Sequence, residues 1–223
     1  MPADVVSSPT DFVLKTDQLQ LRRMRTTDIA GVMAIESVSF GPHHWSEDSF
    51  FNEMHNQTGR YYVLLSNQWV PPPAAKTAAQ AVAQNDPADP ALPADALPLV
   101  VGYCGYWVVL DEVHWTTVAV SPVLRGKALG ELLTAHVVER AMGHSARWVT
   151  LEVRATNFNA QNLYYKYGFQ TLGVRPKYYQ DTDEDALIMT TSDIRSSEYR
   201  RRFQWNKKRL EERLGTLPPG FGL

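Results

Sequence analysis

Val118-Ala119-Val120-Ser121-Pro122-Val123-Leu124-Arg125-Gly126-Lys127-Ala128-Leu129-Gly130 runs from an apolar stretch through a basic, glycine-bearing turn into the helical spacing Leu129, Leu132, Leu133, His136, Val137. Strand, turn and helix in that order bring the first N–H groups of the helix to the turn, without internal acceptors and at the positive end of the helix dipole. Such a turn is an anion site. Arg125 and Lys127 add charge to it. No Gly-Lys-Ser/Thr closes the turn, so it is not a P-loop, and Ala128 and Gly130 are out of register with the two-glycine dinucleotide fingerprint. A third class of phosphate turn is required.

The flanking sequence reads as strands in the front half and strand-helix units in the back half. Residues 19–24 alternate as a first strand. Thr27 is expected to cap a helix through Ile29, Val32, Met33 and Glu36, and Ser46 a second carrying Phe50, Phe51 and Met54. Residues 61–65, 99–110 and 113–120 read as strands, the last two joined at Asp111-Glu112. A helix over 128–141 ends near Gly143, a strand covers 148–153, and Gly168 stops a short helix over 159–167. Strands over 170–177 and 186–190 complete the pattern. The order predicts an α/β fold, a mixed sheet with one parallel crossover.

With 223 residues and 44% hydrophobic content the chain can bury one good core. A net charge of −2 gives no global attraction to nucleic acid or anionic membrane. The single cysteine, Cys104, excludes an internal disulfide framework and, in its apolar run, reads as a buried thiol. No run approaches the ~18 apolar residues of a membrane helix, and no secretory signal opens the chain, so a soluble cytoplasmic protein is expected. Residues 1–17 read as a flexible lead-in, and residues 71–98, rich in Pro, Ala, Asp and Gln, as a disordered insertion that loops away from the sheet without breaking it.

Residues 196–223 read as a basic amphipathic helix and tail. Tyr199, Phe203, Leu210 and Leu214 form an apolar stripe, with Ser196 or Ser197 as cap and Gly215 as stop. From Arg195 onward eight basic residues against three glutamates give +5, leaving −7 for the rest. Docking on the acidic body and contact with RNA or a nascent chain are both open to such a helix.

Arg125-x-x-Ala128-x-Gly130 resembles the (Gln/Arg)-x-x-Gly-x-(Gly/Ala) turn with which the GNAT acetyltransferase superfamily holds the pyrophosphate of acetyl-CoA. Leu151-Glu152-Val153-Arg154-Ala155-Thr156-Asn157, Asn162-Leu163-Tyr164-Tyr165-Lys166-Tyr167-Gly168-Phe169 and Arg175-Pro176-Lys177-Tyr178-Tyr179 resemble its ribosomal-protein-alanine N-acetyltransferase branch, as do Trp45-Ser46-Glu47-Asp48-Ser49-Phe50 and Val109-Leu110-Asp111-Glu112. The resemblance implies a GNAT fold over 18–195, acetyl-CoA as cosubstrate, no metal, and acetylation of a protein N-terminus, that of a ribosomal protein in this branch. It implies Glu152 as general base and Tyr164 as proton donor to the departing thiolate. By the same resemblance, cofactor contacts fall on Val118, Ala119, Val120, Arg125, Gly126, Lys127, Ala128, Leu129, Gly130, Glu131 and Asn157, and peptide-entry walls on Trp45, Arg175, Tyr178 and Tyr179.

Physical chemistry leaves alternatives beside these roles. Glu152 on an interior-looking strand needs a hydrogen bond, water, or a partner such as Arg154 or Arg175. Asn157 can cap a helix, and the tyrosines around Tyr164 can be core. Ala128 replaces the usual glycine; placed in the first helical turn its methyl group is harmless, whereas a left-handed backbone would cost about 1–2 kcal/mol. The first placement is expected. His43-His44 lacks a spaced ligand set for metal. An α-amine of pKa about 8 costs roughly 3 kcal/mol less to deprotonate than a lysine at about 10.4, which favours N-termini over lysines. Broader N-terminal or lysine acetylation, and a non-catalytic acyl-CoA- or ribosome-binding module, are the other readings.

Overall fold

The computed structural model describes residues 16–41, 44–67 and 99–222. The segment 71–98 and the lead-in before residue 16 lie outside the described residues, as does His43. Seven strands, β1 (Leu19–Arg23), β2 (Gly59–Ser66), β3 (Leu99–Val109), β4 (Glu112–Val120), β5 (Trp148–Arg154), β6 (Phe169–Tyr179) and β7 (Glu184–Thr191), form one sheet in the order β1-β2-β3-β4-β5-β7-β6. Among the described strands only β4 and β5 pair in parallel. Their crossover contains α3 (Leu129–Gly143), the helix that follows the residue 125–128 turn. Strands β2 and β3 pair from Gly59↔Trp107 to Ser66↔Leu99, so the sheet continues across the chain segment between them.

Two cores sandwich the sheet. On one side Leu129, Leu132, Leu133, Val137 and Val138 of α3 meet Leu64, Val101, Cys104, Leu151 and Val153, together with Tyr199, Phe203 and Leu210 of α5 (Ser197–Leu214). On the other, Ile29, Val32 and Ile35 of α1 (Ile29–Phe40) and Phe50 of α2 (Glu47–His55) cover Tyr61, Val63, Leu65 and Tyr103. Cys104 is fully buried, and burial pushes its thiol above the ordinary range, as befits a core residue rather than a nucleophile.

Two local expectations are corrected. Thr27 does not cap α1: it lies inside a 3-10 turn, Thr26–Asp28, and Asp28 takes the cap position. The carboxylate of Asp28 accepts from Arg25 N–H and pairs with Arg22 at 2.7 Å, which fixes the turn better than a hydroxyl would. Ala128 is not within the first helical turn. It precedes α3 as the cap residue, with φ 63° and ψ 9°, and the first helical bond runs from Leu132 N–H to its carbonyl.

The C-terminal stripe docks as its spacing predicts. Ser196 caps α5 by accepting from Tyr199 N–H, and Gly215 ends it at φ 83°. The chain beyond runs back over α3 to the sheet edge, where Leu21 N–H of β1 donates to Pro219 O (2.9 Å).

Candidate active site

Parallel pairing of β4 with β5 stops at Trp115↔Leu151, although β4 continues to Val120 and β5 to Arg154. The strands therefore part, and Val118, Ala119 and Val120 border a cleft where peptide groups of β4 have no neighbouring strand on that side. The residue 125–130 turn follows the far end of β4, and Glu152 stands on β5 where the pairing ends.

At the turn end, a cavity of about 270 Å³ is lined by Val120, Leu124, Arg125, Gly126, Ala128, Leu129, Gly130, Glu131, Leu163 and Arg213. Gly126 (φ 80°) and Ala128 are both left-handed, which wraps the backbone around the opening. N–H groups of Leu129, Gly130 and Glu131 begin α3 and have no intrahelical acceptor. A Cβ added at Gly126 or Gly130 would meet nothing within 4 Å. Space, orphan donors and basic side chains are what a diphosphate needs, so these residues fit one. Arg125 and Lys127 make no ion pair among the described residues, whereas the Glu131 side chain is buried against Lys166, Tyr167 and Arg213.

At the other end, alternation along β5 buries Val149, Leu151 and Val153 under α3 and turns Trp148, Thr150, Glu152 and Arg154 to the opposite face. The Glu152 side chain is only 8% exposed; His114 Nε2 lies 3.3 Å from Oε2 and Arg175 Nη2 lies 3.2 Å from Oε1. One carboxylate thus holds a histidine from β4 and an arginine from β6. Arg154 is committed elsewhere, to Asp181 at 2.7 Å and Glu184 at 3.2 Å. His114 escaped the sequence reading, although the alternation of Val113 and Trp115 with Glu112, His114 and Thr116 places it on the polar face.

Tyr164 sits on α4 (Phe158–Lys166), buried edge-on against Trp115 at 5.4 Å, next to Leu163 of the cavity wall. Burial pushes its phenol above the usual range, so it keeps its proton at neutral pH. Asn157 caps this helix, its Oδ1 accepting from Ala160 N–H at 3.2 Å. The side-chain amide N–H groups remain for other partners.

Of the residues expected at a peptide entry, Trp45 lies in the loop before α2, whereas Arg175, Tyr178 and Tyr179 lie on β6. Trp45 packs on Phe50 and Tyr61, with its backbone N–H bonded to Glu36 Oε1 at 3.0 Å. Tyr178 is 45% exposed and lies under the Arg175 guanidinium, while Tyr179 stacks under Arg154 at 4.0 Å. Arg175 therefore touches both Glu152 and Tyr178.

A sheet that parts beside a glycine-bearing turn with free helix N–H groups, with a nearly buried carboxylate on β5 where the pairing ends, fits an acyl-CoA-dependent transferase. The chain belongs to the acetyltransferase (GNAT) family, which it matches over residues 40–169, and it is an N-acetyltransferase that uses acetyl-CoA. Among its relatives is a Bacillus subtilis protein named as a ribosomal protein bS18-alanine N-acetyltransferase, 35% identical over 76% of this chain and 92% of its own. The Escherichia coli K12 protein of that name is 39% identical over 37% of this chain and 57% of its own length. The crystal structure of the Escherichia coli ribosomal-protein-S18-alanine N-acetyltransferase shares the fold, with TM-score 0.61 and 24% identity over 81% of this chain and 97% of that one. Among the described residues no helix is long and apolar enough to cross a membrane.

Proposed function

We propose that the chain acetylates the α-amine of a protein N-terminus, and that a ribosomal protein is its target. The names of its relatives support the target class. The observation that carries the chemistry is the Glu152 carboxylate, nearly buried on the open face of β5 where the sheet parts. Acetyl-CoA supplies an activated acyl carbon; the protein must remove a proton from the amine and return one to sulfur. Glu152 accepts the amine proton, directly or through one water. His114, half-buried beside it, offers that proton a way out. The C–N bond forms as the C–S bond breaks, and Tyr164 gives its phenolic proton to the leaving thiolate, then regains one from solvent. Backbone N–H groups at residues 118–120 face the developing oxyanion. The residue 125–131 turn and Asn157 hold the cosubstrate, and Trp45, Arg175, Tyr178 and Tyr179 guide the peptide.

Release of free thiol from acetyl-CoA, measured with peptides starting in Ala, Ser or Met and with an N-blocked peptide containing lysine, tests this. Turnover of the free N-termini is expected, and Glu152→Gln is expected to reduce kcat about 100-fold, within the range for a lost general base. Turnover of the blocked peptide alone would identify a lysine acetyltransferase; binding without turnover across the panel would identify a binding module.

A ribosomal target also gives the outer face of α5 a partner. Arg200, Arg201, Lys208 and Arg209 are exposed there around Trp205, itself 58% exposed. Basic side chains around an aromatic ring suit RNA. Reversing Arg200, Arg201 and Arg209 to Glu should abolish salt-sensitive co-sedimentation with ribosomes; unchanged co-sedimentation would rule the contact out.

A further inference from the structure

Arg213 lies in the last turn of α5, well beyond the family match, yet it lines the same cavity as Arg125, Gly126, Ala128 and Gly130. Its Nη2 donates to the Gly126 carbonyl at 3.1 Å, and Nη1 lies 3.8 Å from Glu131 Oε2. Both contacts tie the guanidinium to the phosphate turn. Glu131 needs explaining, because a carboxylate in the first turn of α3 would by itself repel a diphosphate. Here its charge is taken up: Lys166 Nζ and the Tyr167 hydroxyl both donate to Oε1, and the side chain is 9% exposed. Glu131 thus acts as a buried post between two cations, Lys166 on one side and Arg213 on the other.

The helix that carries Arg213 is anchored along its length. Tyr199, Phe203 and Leu210 are buried, Asn206 Nδ2 donates to Lys166 O at 2.9 Å, and Lys207 pairs with Glu139 of α3 at 2.6 Å. A guanidinium has five N–H donors in a planar fork that matches phosphate oxygens, and one bond to Gly126 leaves most of them unspent. Its position is held while its donors are not exhausted.

We propose that Arg213 is a phosphate-binding residue of the acetyl-CoA site, presented by the C-terminal helix across the mouth of the residue 125–130 turn. This rests on the reading that the turn holds the cosubstrate diphosphate. Calorimetric titration with CoA and 3′-dephospho-CoA tests it, using Arg213→Gln with Gly130→Leu as control. Leucine at position 130 fills the cradle from a site where a Cβ meets no protein atom.

Arg213→Gln should weaken CoA binding about tenfold, the scale of one charge-assisted hydrogen bond. It should lower by the same factor the ratio of kcat/KM for acetyl-CoA over the phosphate-free thioester S-acetylpantetheine. An equal loss with 3′-dephospho-CoA assigns the contact to the diphosphate; no loss with that analogue assigns it to the 3′-phosphate, and either supports the proposal. CoA binding within twofold of the parent, alongside its abolition in Gly130→Leu, would overturn the role of Arg213 alone. Equal losses with acetyl-CoA and S-acetylpantetheine would also overturn it, by pointing to a disturbed helix. Undiminished CoA binding in Gly130→Leu would remove the turn as the diphosphate site, and Arg213 with it.

Discussion

At position 128 an alanine holds a backbone conformation that glycine adopts without strain. Its φ of 63° costs Ala about 1 kcal/mol, and the neighbouring N–H groups of the proposed phosphate cradle depend on that angle. Ala128→Gly relieves the strain and adds unfolded-chain freedom, so a net gain of about 0.5 kcal/mol is expected. Urea unfolding measures it, and CoA affinity should stay within about threefold because the amides do not move. A loss of stability would mean that the methyl group, packed at the edge of the α3 core, matters more than the dihedral angle. The sequence could not reveal this strain: Ala is a strong helix former, so propensity points to the wrong side of the cap. Glu152, in contrast, is legible as the lone carboxylate of a strand that alternates with the buried Val149, Leu151 and Val153. Its pairing with Arg175 was among the options that chemistry left open, but the pairing with His114 depends on the register of β4 against β5, which no local pattern encodes.

The C-terminal helix is an element whose inner face was readable and whose purpose was not. A spacing of three to four residues identifies Tyr199, Phe203, Leu210 and Leu214, each full burial contributing roughly 1.5–3 kcal/mol, but spacing names no partner. Asn206 lies within that stripe and looks misplaced until the end of α4 is considered. There the Tyr165 carbonyl, which also accepts from Gly168 N–H, receives Arg202 Nη2 (2.6 Å), the Lys166 carbonyl receives Asn206 Nδ2 (2.9 Å) and the Tyr167 carbonyl receives the Tyr199 hydroxyl (2.6 Å). α5 therefore caps the helix that carries Tyr164, and deleting it would damage the site as well as any outer contact. Its tail closes the edge of the sheet at Gly220. A Cβ there would stand 1.7 Å from Leu21 O, whereas Gly215, with the same φ of 83°, has nothing within 4 Å. Gly215→Ala should cost about 1 kcal/mol from the dihedral angle alone, and Gly220→Ala at least about 1 kcal/mol more. Equal losses in urea unfolding would show that the tail does not rest on β1.

Across the whole molecule, two buried titratable groups on opposite faces of the sheet give stability opposite dependences on pH. Glu36, on the α1 face, is 2% exposed; its Oε2 has no hydrogen-bond partner among the described residues, and desolvation pushes its carboxyl up to about 7 despite the Trp45 N–H bond and nearby His44. His136, under α3, is fully buried beside Arg140, and desolvation first, then that charge, lower its imidazole to about 3. Between about 4.5 and 7 the native state holds the Glu36 proton that the unfolded chain releases, so this group stabilises less as pH rises. Between about 3 and 6.5 the unfolded chain takes the His136 proton that the native state refuses, so this group stabilises less as pH falls. The Nδ1 atom of His136 accepts from Gly222 N–H at 3.1 Å, a bond that protonation would abolish, so acid also loosens the tail from α3. Where the windows overlap, the two slopes offset each other and hide both. Glu36→Gln removes one of them: its stability relative to the parent should rise by about 3 kcal/mol between pH 4.5 and 7 and level off above. Urea unfolding at pH 5, 6, 7 and 8 measures that difference, and a difference that stays constant with pH would show that Glu36 is not protonated in the native state. Because Oε1 of the same carboxyl accepts from Trp45 N–H, ionisation above pH 7 places a bare charge beneath that loop, which links the stability slope to the proposed peptide-entry wall.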